Sequence, residues 1–190
     1  VCTSKRRSDD PLADYLSNKN IDYFRGELDN VLDRYIRTAE EFGIKKIIRV
    51  TGDNPFVDIQ LLLRSIPLFK YYDYVDGIYQ GGVIKGIGFE LVSLKELRSI
   101  TSTSRVHQEH VTNWLRENLA YSATRVKLLP DELRKFREDV FLSCDYPEDL
   151  ELIQQILEFY NFRIDITTEE ILELLERSPH LKRINKHLHG

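Results

Sequence analysis

Methionine is absent from this 190-residue chain, and cysteine occurs only twice, at Cys2 and Cys144. Neither cysteine sits in a C-x-x-C pair, so no zinc site or disulfide framework is expected. Apolar runs long enough to span a bilayer are lacking. The opening stretch from Val1 to Asp10 is polar and charged, unlike a signal peptide. No membrane association is expected, and the cytoplasm is the expected compartment. An excess of positive charge is lacking too, since 27 basic side chains face 31 acidic ones. A general nucleic-acid binder needs a basic face to neutralise phosphates, so no nucleic-acid partner is expected. A nucleotide-using enzyme stays open, because its site needs only a few placed cations and carboxylates. The missing methionine also bears on the start of the chain. Val1-Cys2-Thr3-Ser4 reads like the end of a buried strand running into a loop, and truncation before it is the expectation.

What is present is enough apolar material for one sizeable core, at 42% hydrophobic residues, and a single domain over residues 1–190 is expected. Apolar runs alternate with amphipathic stretches, which is the pattern of an α/β domain. Pro11 to Lys19 reads as a short helix and Ile21 to Phe24 as a brief strand. Val31, Leu32, Tyr35, Ile36, Ala39 and Phe42 recur at helical spacing, and Gly43 ends the run. Lys46 to Thr51 reads as a buried strand, Asp58 to Phe69 as a helix and Tyr72 to Val75 as a strand. Gly77 to Gly88 holds five of the nine glycines and reads as a mobile loop. Strands are expected at Phe89 to Val92, Ala123 to Leu128 and Val140 to Ser143. Helices are expected from Ser93, at Gln108 to Leu119, at Pro147 to Tyr160 and at Thr168 to Arg177. For the helix from Pro147, the inward face is read as Leu150, Ile153, Leu157 and Tyr160.

Two aspartates stand directly after apolar strands. In Thr51-Gly52-Asp53-Asn54-Pro55, Asp53 lies where open α/β sheets bind ligands, beyond the carboxyl end of a strand. It is equally placed to close an Asx turn before Pro55. In Ser143-Cys144-Asp145-Tyr146-Pro147-Glu148-Asp149, Asp145 and Glu148 spell a capping box. Alternatively Pro147 is the first helical residue, Tyr146 is the cap, and Asp145 is free to point into a site. Read jointly, two strand-end carboxylates match what Mg²⁺ takes from a protein when phosphates supply the rest.

Four segments then match one family in order and spacing. Phe24-Arg25-Gly26 through Asn30-Val31-Leu32-Asp33-Arg34-Tyr35, Arg49-Val50-Thr51-Gly52-Asp53-Asn54-Pro55-Phe56-Val57-Asp58, Glu109-His110-Val111-Thr112 and Asp145-Tyr146-Pro147-Glu148-Asp149-Leu150 resemble motifs of sugar cytidylyltransferases. The likeness is to the spore-coat-polysaccharide type, relatives of the acylneuraminate and Kdo enzymes. It implies a three-layer, Rossmann-like α/β fold of the nucleotide-diphospho-sugar transferase type, with a mainly parallel mixed sheet. It implies CTP and an acidic or related sugar as substrates, Mg²⁺ as cofactor and a homodimer. Asp53 and Asp145 would hold the metal and be catalytic. Arg25, Asp33, Arg34, Thr51 and Asn54 would serve the nucleotide, and Glu90, Glu109 and His110 the sugar. Asp58 begins a helix and reads as a cap. Lys85 reads as a solvated loop lysine that could meet a sugar carboxylate. His180, His187 and His189 have no ligand partners in pattern and are not read as a metal site.

The family's first strand and its glycine-, arginine- and lysine-bearing triphosphate loop have no counterpart in this sequence. The expectations are therefore a sheet lacking that strand and a chain inactive as it stands. Two other readings stay open: a non-catalytic nucleotide- or partner-binding domain of the same fold, and a related glycosyltransferase. The second would use a D-x-D pair at a strand end, which the sequence does not offer.

Overall fold

The computed structural model describes residues 1–77, 83–118 and 135–189. The chain forms two compact units, Val1–Ile47 with Val92–Ser122 and Ile48–Leu91 with Ala123–Gly190.

In the first unit, β1 (Cys2–Ser4) pairs in parallel with β2 (Phe24–Gly26), with Cys2 opposite Phe24 and Ser4 opposite Gly26. Parallel neighbours need a crossover, and α1 (Asp10–Asn18) supplies it with Pro11 in its first turn. Asp9 ties the exit of β1 to that helix. Its carboxylate accepts the Thr3 hydroxyl at 2.6 Å, the Ser4 hydroxyl at 2.7 Å and the Ser4 N–H at 3.0 Å. The strand expected from Ile21 begins at Phe24 instead. The Ile21 N–H is still bonded to the Leu16 carbonyl at 2.9 Å, and Asn20 takes a left-handed φ of 54°. Next comes α2 (Val31–Glu41), capped by Asn30, which accepts the Asp33 N–H at 2.9 Å. Gly43 follows at φ 63°, a conformation few side chains tolerate.

The Asp9 cluster carries a pH prediction. The hydrogen bonds from Thr3 and Ser4 hold its carboxyl far below the ordinary carboxylate range. A carboxyl lowered on folding stabilises the fold above its unfolded pKa, and that contribution is lost as pH falls. Asp9→Asn is expected to give a chain less stable at neutral pH but with a flatter decline below about pH 5. Melting temperature against pH checks this, and parallel acid limbs for the two proteins would refute it.

The rest of this unit is α4 (Leu94–Ser99), α5 (Arg105–Glu109) and α6 (Asn113–Asn118). Ser93 caps α4 by accepting the Glu96 N–H at 3.1 Å. One continuous helix was expected from Gln108. The chain breaks between α5 and α6 instead, with His110 at φ -97° and ψ 74°. The break buries Val111 and Thr112, two β-branched residues with modest helix preference.

A second sheet runs in the order β3 (Lys46–Arg49), β5 (Glu90–Ser93), β4 (Tyr74–Asp76). The first of these is not the buried strand expected. Ile48 and Val50 are each 40% exposed, as suits a strand at the end of the sheet order. In the second unit, α3 (Ile59–Ser65) is capped by Asp58, which accepts the Leu61 N–H at 2.7 Å. It tightens into a 3₁₀ turn at Ile66–Lys70, where Pro67 removes a helical donor. The other carboxylate oxygen of Asp58 accepts the Thr168 hydroxyl at 2.6 Å.

Of the strand expected at Val140 to Ser143, the described residues form a single parallel bridge, Phe141 opposite Lys85. The strand expected at Ala123 to Leu128 lies outside the described residues. The unit closes with α7 (Pro147–Phe159), α8 (Thr168–Arg177) and α9 (Pro179–Lys182). The face of α7 differs from the one read above. Leu150 is 54% exposed, and the buried stripe is Asp149, Leu152, Ile153 and Ile156. That is i, i+3, i+4, i+7, with a carboxylate in its first position. The stripe meets Phe56, Leu61, Val75, Phe89, Leu142, Ile171 and Leu175 in one core.

Candidate active site

Two turns of the second unit lie side by side. Thr51 to Asn54 is closed by its own backbone, the Asn54 N–H donating to the Thr51 carbonyl at 3.1 Å. The carboxylate of Asp53 is exposed and is not what closes that turn. The Cys144 N–H donates to the Asp53 carbonyl at 2.8 Å, joining this turn to the one that carries Asp145. The Cys144 thiol registers the crowding of carboxylates. Burial pushes its pKa up, and the negative charges of Asp149, Asp145 and Asp53 push it further.

The choice between capping box and free aspartate is decided at α7. Pro147 opens the helix, Tyr146 is the cap residue, and the third helical position is Asp149 rather than Glu148. One oxygen of Asp149 accepts the N–H groups of both Asp145 and Tyr146, each at 2.8 Å. The side chain of Asp145 is thereby released from helix duty. It accepts Lys85 Nζ at 2.7 Å and the Ser143 hydroxyl at 2.9 Å. The hydrogen bond from Lys85 holds its carboxyl below the usual range, against burial that raises it, and Ser143 adds to the lowering. Lys85 is thus an ion-pair partner of Asp145, not only a solvated loop lysine. Gly86 explains how it gets there. Its φ is 102°, and a Cβ on it would stand 2.2 Å from the Leu142 carbonyl carbon.

The other oxygen of Asp149 accepts Asn185 Nδ2 and His189 Nε2, both at 2.8 Å. Asn185 Nδ2 also reaches the Phe141 carbonyl at 2.9 Å. Asp149, Asn185, His189 and Ser143 were not read as site residues. Counting from Pro147 as the first helical position would have found Asp149. Nothing in the local sequence marks His189, which lies 40 positions away from its partner.

Glu90 is fully buried in the same unit. One oxygen takes Arg49 NH1 at 2.5 Å and the other takes the Tyr74 hydroxyl at 2.7 Å. Its described contacts are therefore internal, fixing the arginine that opens the Thr51-Gly52-Asp53 motif, and not exposed toward a sugar. The remaining expected residues belong to the first unit. Arg25 donates to the carbonyls of Ser4 and Arg6, both at 2.8 Å, and pairs with Asp10 at 2.7 Å, so it staples β2 to the exit of β1. Arg34 lies across Gly26, where a Cβ would meet its Cγ at 2.9 Å, and donates to the Glu27 carbonyl at 3.0 Å. Asp33 sits in the first turn of α2, and its N–H is the one Asn30 caps. Glu109 and His110 are exposed at the end of α5.

The two aspartate-bearing turns lie side by side on an α/β scaffold, one of them just beyond β3, where such folds bind ligands. Over residues 2–176 the chain matches the cytidylyltransferase family, and it belongs to that family. It is 31% identical over 185 residues to the spore coat polysaccharide biosynthesis protein SpsF of Bacillus subtilis, covering 94% of this chain and 75% of that protein. It is 25% identical to an uncharacterized protein of Methanocaldococcus jannaschii, covering 99% of this chain and 76% of that one. A solved cytidylyltransferase from Leptospira borgpetersenii superposes with a TM-score of 0.84 over 95% of this chain and 76% of its own, at 21% identity. The α/β fold is thus that of a cytidylyltransferase, and the chain is a nucleotidyltransferase by family. The family match runs through both compact units. Among the described residues, no helix is long and apolar enough to cross a membrane.

Proposed function

We propose that the protein transfers CMP from CTP to an acidic or related sugar, releasing pyrophosphate, in the building of a surface polysaccharide or glycan. The observation that carries this reading is the Cys144-to-Asp53 hydrogen bond, which sets the turns of Asp53 and Asp145 next to each other. The family match supplies the nucleotide, and the printed role of the Bacillus relative supports the polysaccharide setting. A single catalytic domain, a homodimer and a cytoplasmic location belong to the same reading and rest on the family likeness.

Among the described residues no group of three or more His, Cys, Asp or Glu is arranged to hold a metal. Mg²⁺ does not need one, since one or two carboxylates suffice when substrate phosphates and water complete the shell. Asp53 and Asp145 are hard oxygen donors of that kind, and a cation, the Lys85 ammonium, already stands at 2.7 Å from Asp145. The donor set fits Mg²⁺. When bound, the ion would neutralise phosphate charge and align the attack on the α-phosphate. Asp53 and Asp145 would hold it from the two turns. The Lys85 hydrogen bond holds the Asp145 carboxyl below the usual carboxylate range. Lys85, once released, has an ammonium to offer an anionic substrate group.

The test is a panel of sugars, acidic and neutral, given to the purified native protein with CTP and Mg²⁺ while pyrophosphate is measured. Release with an acidic sugar and not with CTP alone is expected. No release with any sugar, from protein that melts cooperatively, would count against the reading.

A further inference from the structure

His189 stands on both supports of Asp145. On one side, its Nε2 is 2.8 Å from the Asp149 oxygen that faces away from the Asp145–Tyr146 turn. The opposite oxygen of Asp149 holds the N–H groups of that turn. On the other side, His189 Nδ1 is 3.4 Å from Lys85 Nζ, which is itself bonded to the Asp145 carboxylate. A carboxylate can only accept and an ammonium can only donate. The neutral ring meets both demands with its proton on Nε2 and its lone pair on Nδ1.

The ring is held for this task. It stacks on Phe141 at 4.6 Å between centroids, at 18° between planes, and meets Tyr146 edge-on at 5.8 Å. Its side chain is 4% exposed and that of Asp149 is 0% exposed. Burying a histidine and a carboxylate together is costly unless both are hydrogen-bonded, and here both are.

We infer that His189 is a positioning residue for the metal site. It braces Asp149, Asp149 fixes the backbone that presents Asp145, and the same ring steadies the lysine that holds the Asp145 carboxylate. Groups of this kind, bonded to a ligand's support rather than to the ion, set the ligand's orientation and so the metal affinity. The inference rests on the reading of Asp145 as a Mg²⁺ ligand.

Two substitutions separate packing from hydrogen bonding. His189→Phe keeps a flat ring against Phe141 and Tyr146 and removes both nitrogens. His189→Gln gives up the stack and keeps an amide N–H for Asp149. Both are made in the native protein and assayed for the Mg²⁺ concentration giving half-maximal rate. Mn²⁺ binding to the substrate-free protein is measured in parallel by counting free Mn²⁺ with paramagnetic resonance. His189→Phe is expected to raise half-saturating Mg²⁺ roughly tenfold and to weaken Mn²⁺ binding similarly, with the rate at saturating metal little changed. His189→Gln is expected to recover most of that loss. His187→Ala, at an exposed position, serves as the control and should match the parent. Equal metal dependence in the parent and in His189→Phe would overturn the inference. So would a His189→Gln protein that folds and is as impaired as His189→Phe. Asp145→Asn runs alongside. If it too leaves the metal dependence unchanged, the reading of Asp145 as a ligand fails. If it abolishes the dependence while His189→Phe does nothing, only the role of His189 falls.

Discussion

Asp53→Asn and Asp145→Asn are each expected to cut Mg²⁺-dependent CMP transfer by roughly a hundredfold or more, with the fold kept. The size follows from what a metal ion supplies. Neutralising phosphate charge in the transition state is worth several kcal/mol, and each 1.4 kcal/mol is about a factor of ten in rate. Asparagine keeps the shape and a carbonyl oxygen but not the charge that a dication requires. The structure makes Asp145→Asn a clean experiment, because the capping of α7 is done by Asp149. Helix α7 therefore loses nothing when Asp145 changes. The ion pair lost with Lys85 is half-exposed, with side chains 48% and 36% accessible, so its contribution to stability is within about 1 kcal/mol. Initial rate against Mg²⁺ concentration, with thermal melts of each variant, checks both halves. A near-parental rate for Asp145→Asn at ordinary Mg²⁺ would leave Asp53 without its proposed partner.

Gly86→Ala is expected to be the most destabilising single methyl group in the described chain. Two costs add. The φ of 102° is strained for any L side chain, at about 1–3 kcal/mol. The new Cβ would also lie 2.2 Å from the Leu142 carbonyl carbon and 2.3 Å from the Ser143 nitrogen, so main chain rather than a flexible side chain must move. Overpacking of that sort costs a further ~1–3 kcal/mol. A chain of this size loses about 2–4 °C of melting temperature per kcal/mol, so a fall on the order of 10 °C is expected. The damage should reach the site, because Gly86 follows Lys85 and presses on the segment leading to Asp145. Gly52→Ala is the comparison. No atom lies within 4 Å of its added Cβ and its φ is not in the left-handed region, so its melting temperature should stay close to the parent's. Equal melting temperatures for the two alanine variants would show that the close approach at Gly86 is not rigid.

Much of this protein is legible along the chain, and the reason is local. The span read for α8, Thr168 to Arg177, is the span observed, because a Thr167–Glu170 capping box and a 3.6-residue apolar repeat are written in adjacent residues. The cap at Asp58 and the stop at Gly43 are local in the same way. The apolar runs placed Asp53 beyond β3 without any coordinates, whereas the run before Asp145 forms only a single bridge among the described residues. What only the tertiary structure decided are the pairings between distant positions. Periodicity treats every inward position as apolar, so it could not see that Asp149 heads the buried stripe of α7. Nearby N–H groups satisfy one oxygen of that carboxylate, but the other is satisfied inside by Asn185 and His189, from 36 and 40 residues away. Lys85 reads as a loop lysine until the chain brings Phe141 beside it and Asp145 within 2.7 Å, at a separation of 60 residues. A side chain's helical preference is set by its neighbours in sequence, whereas burial of a charge is set by whichever partners the fold delivers, and that information is not local.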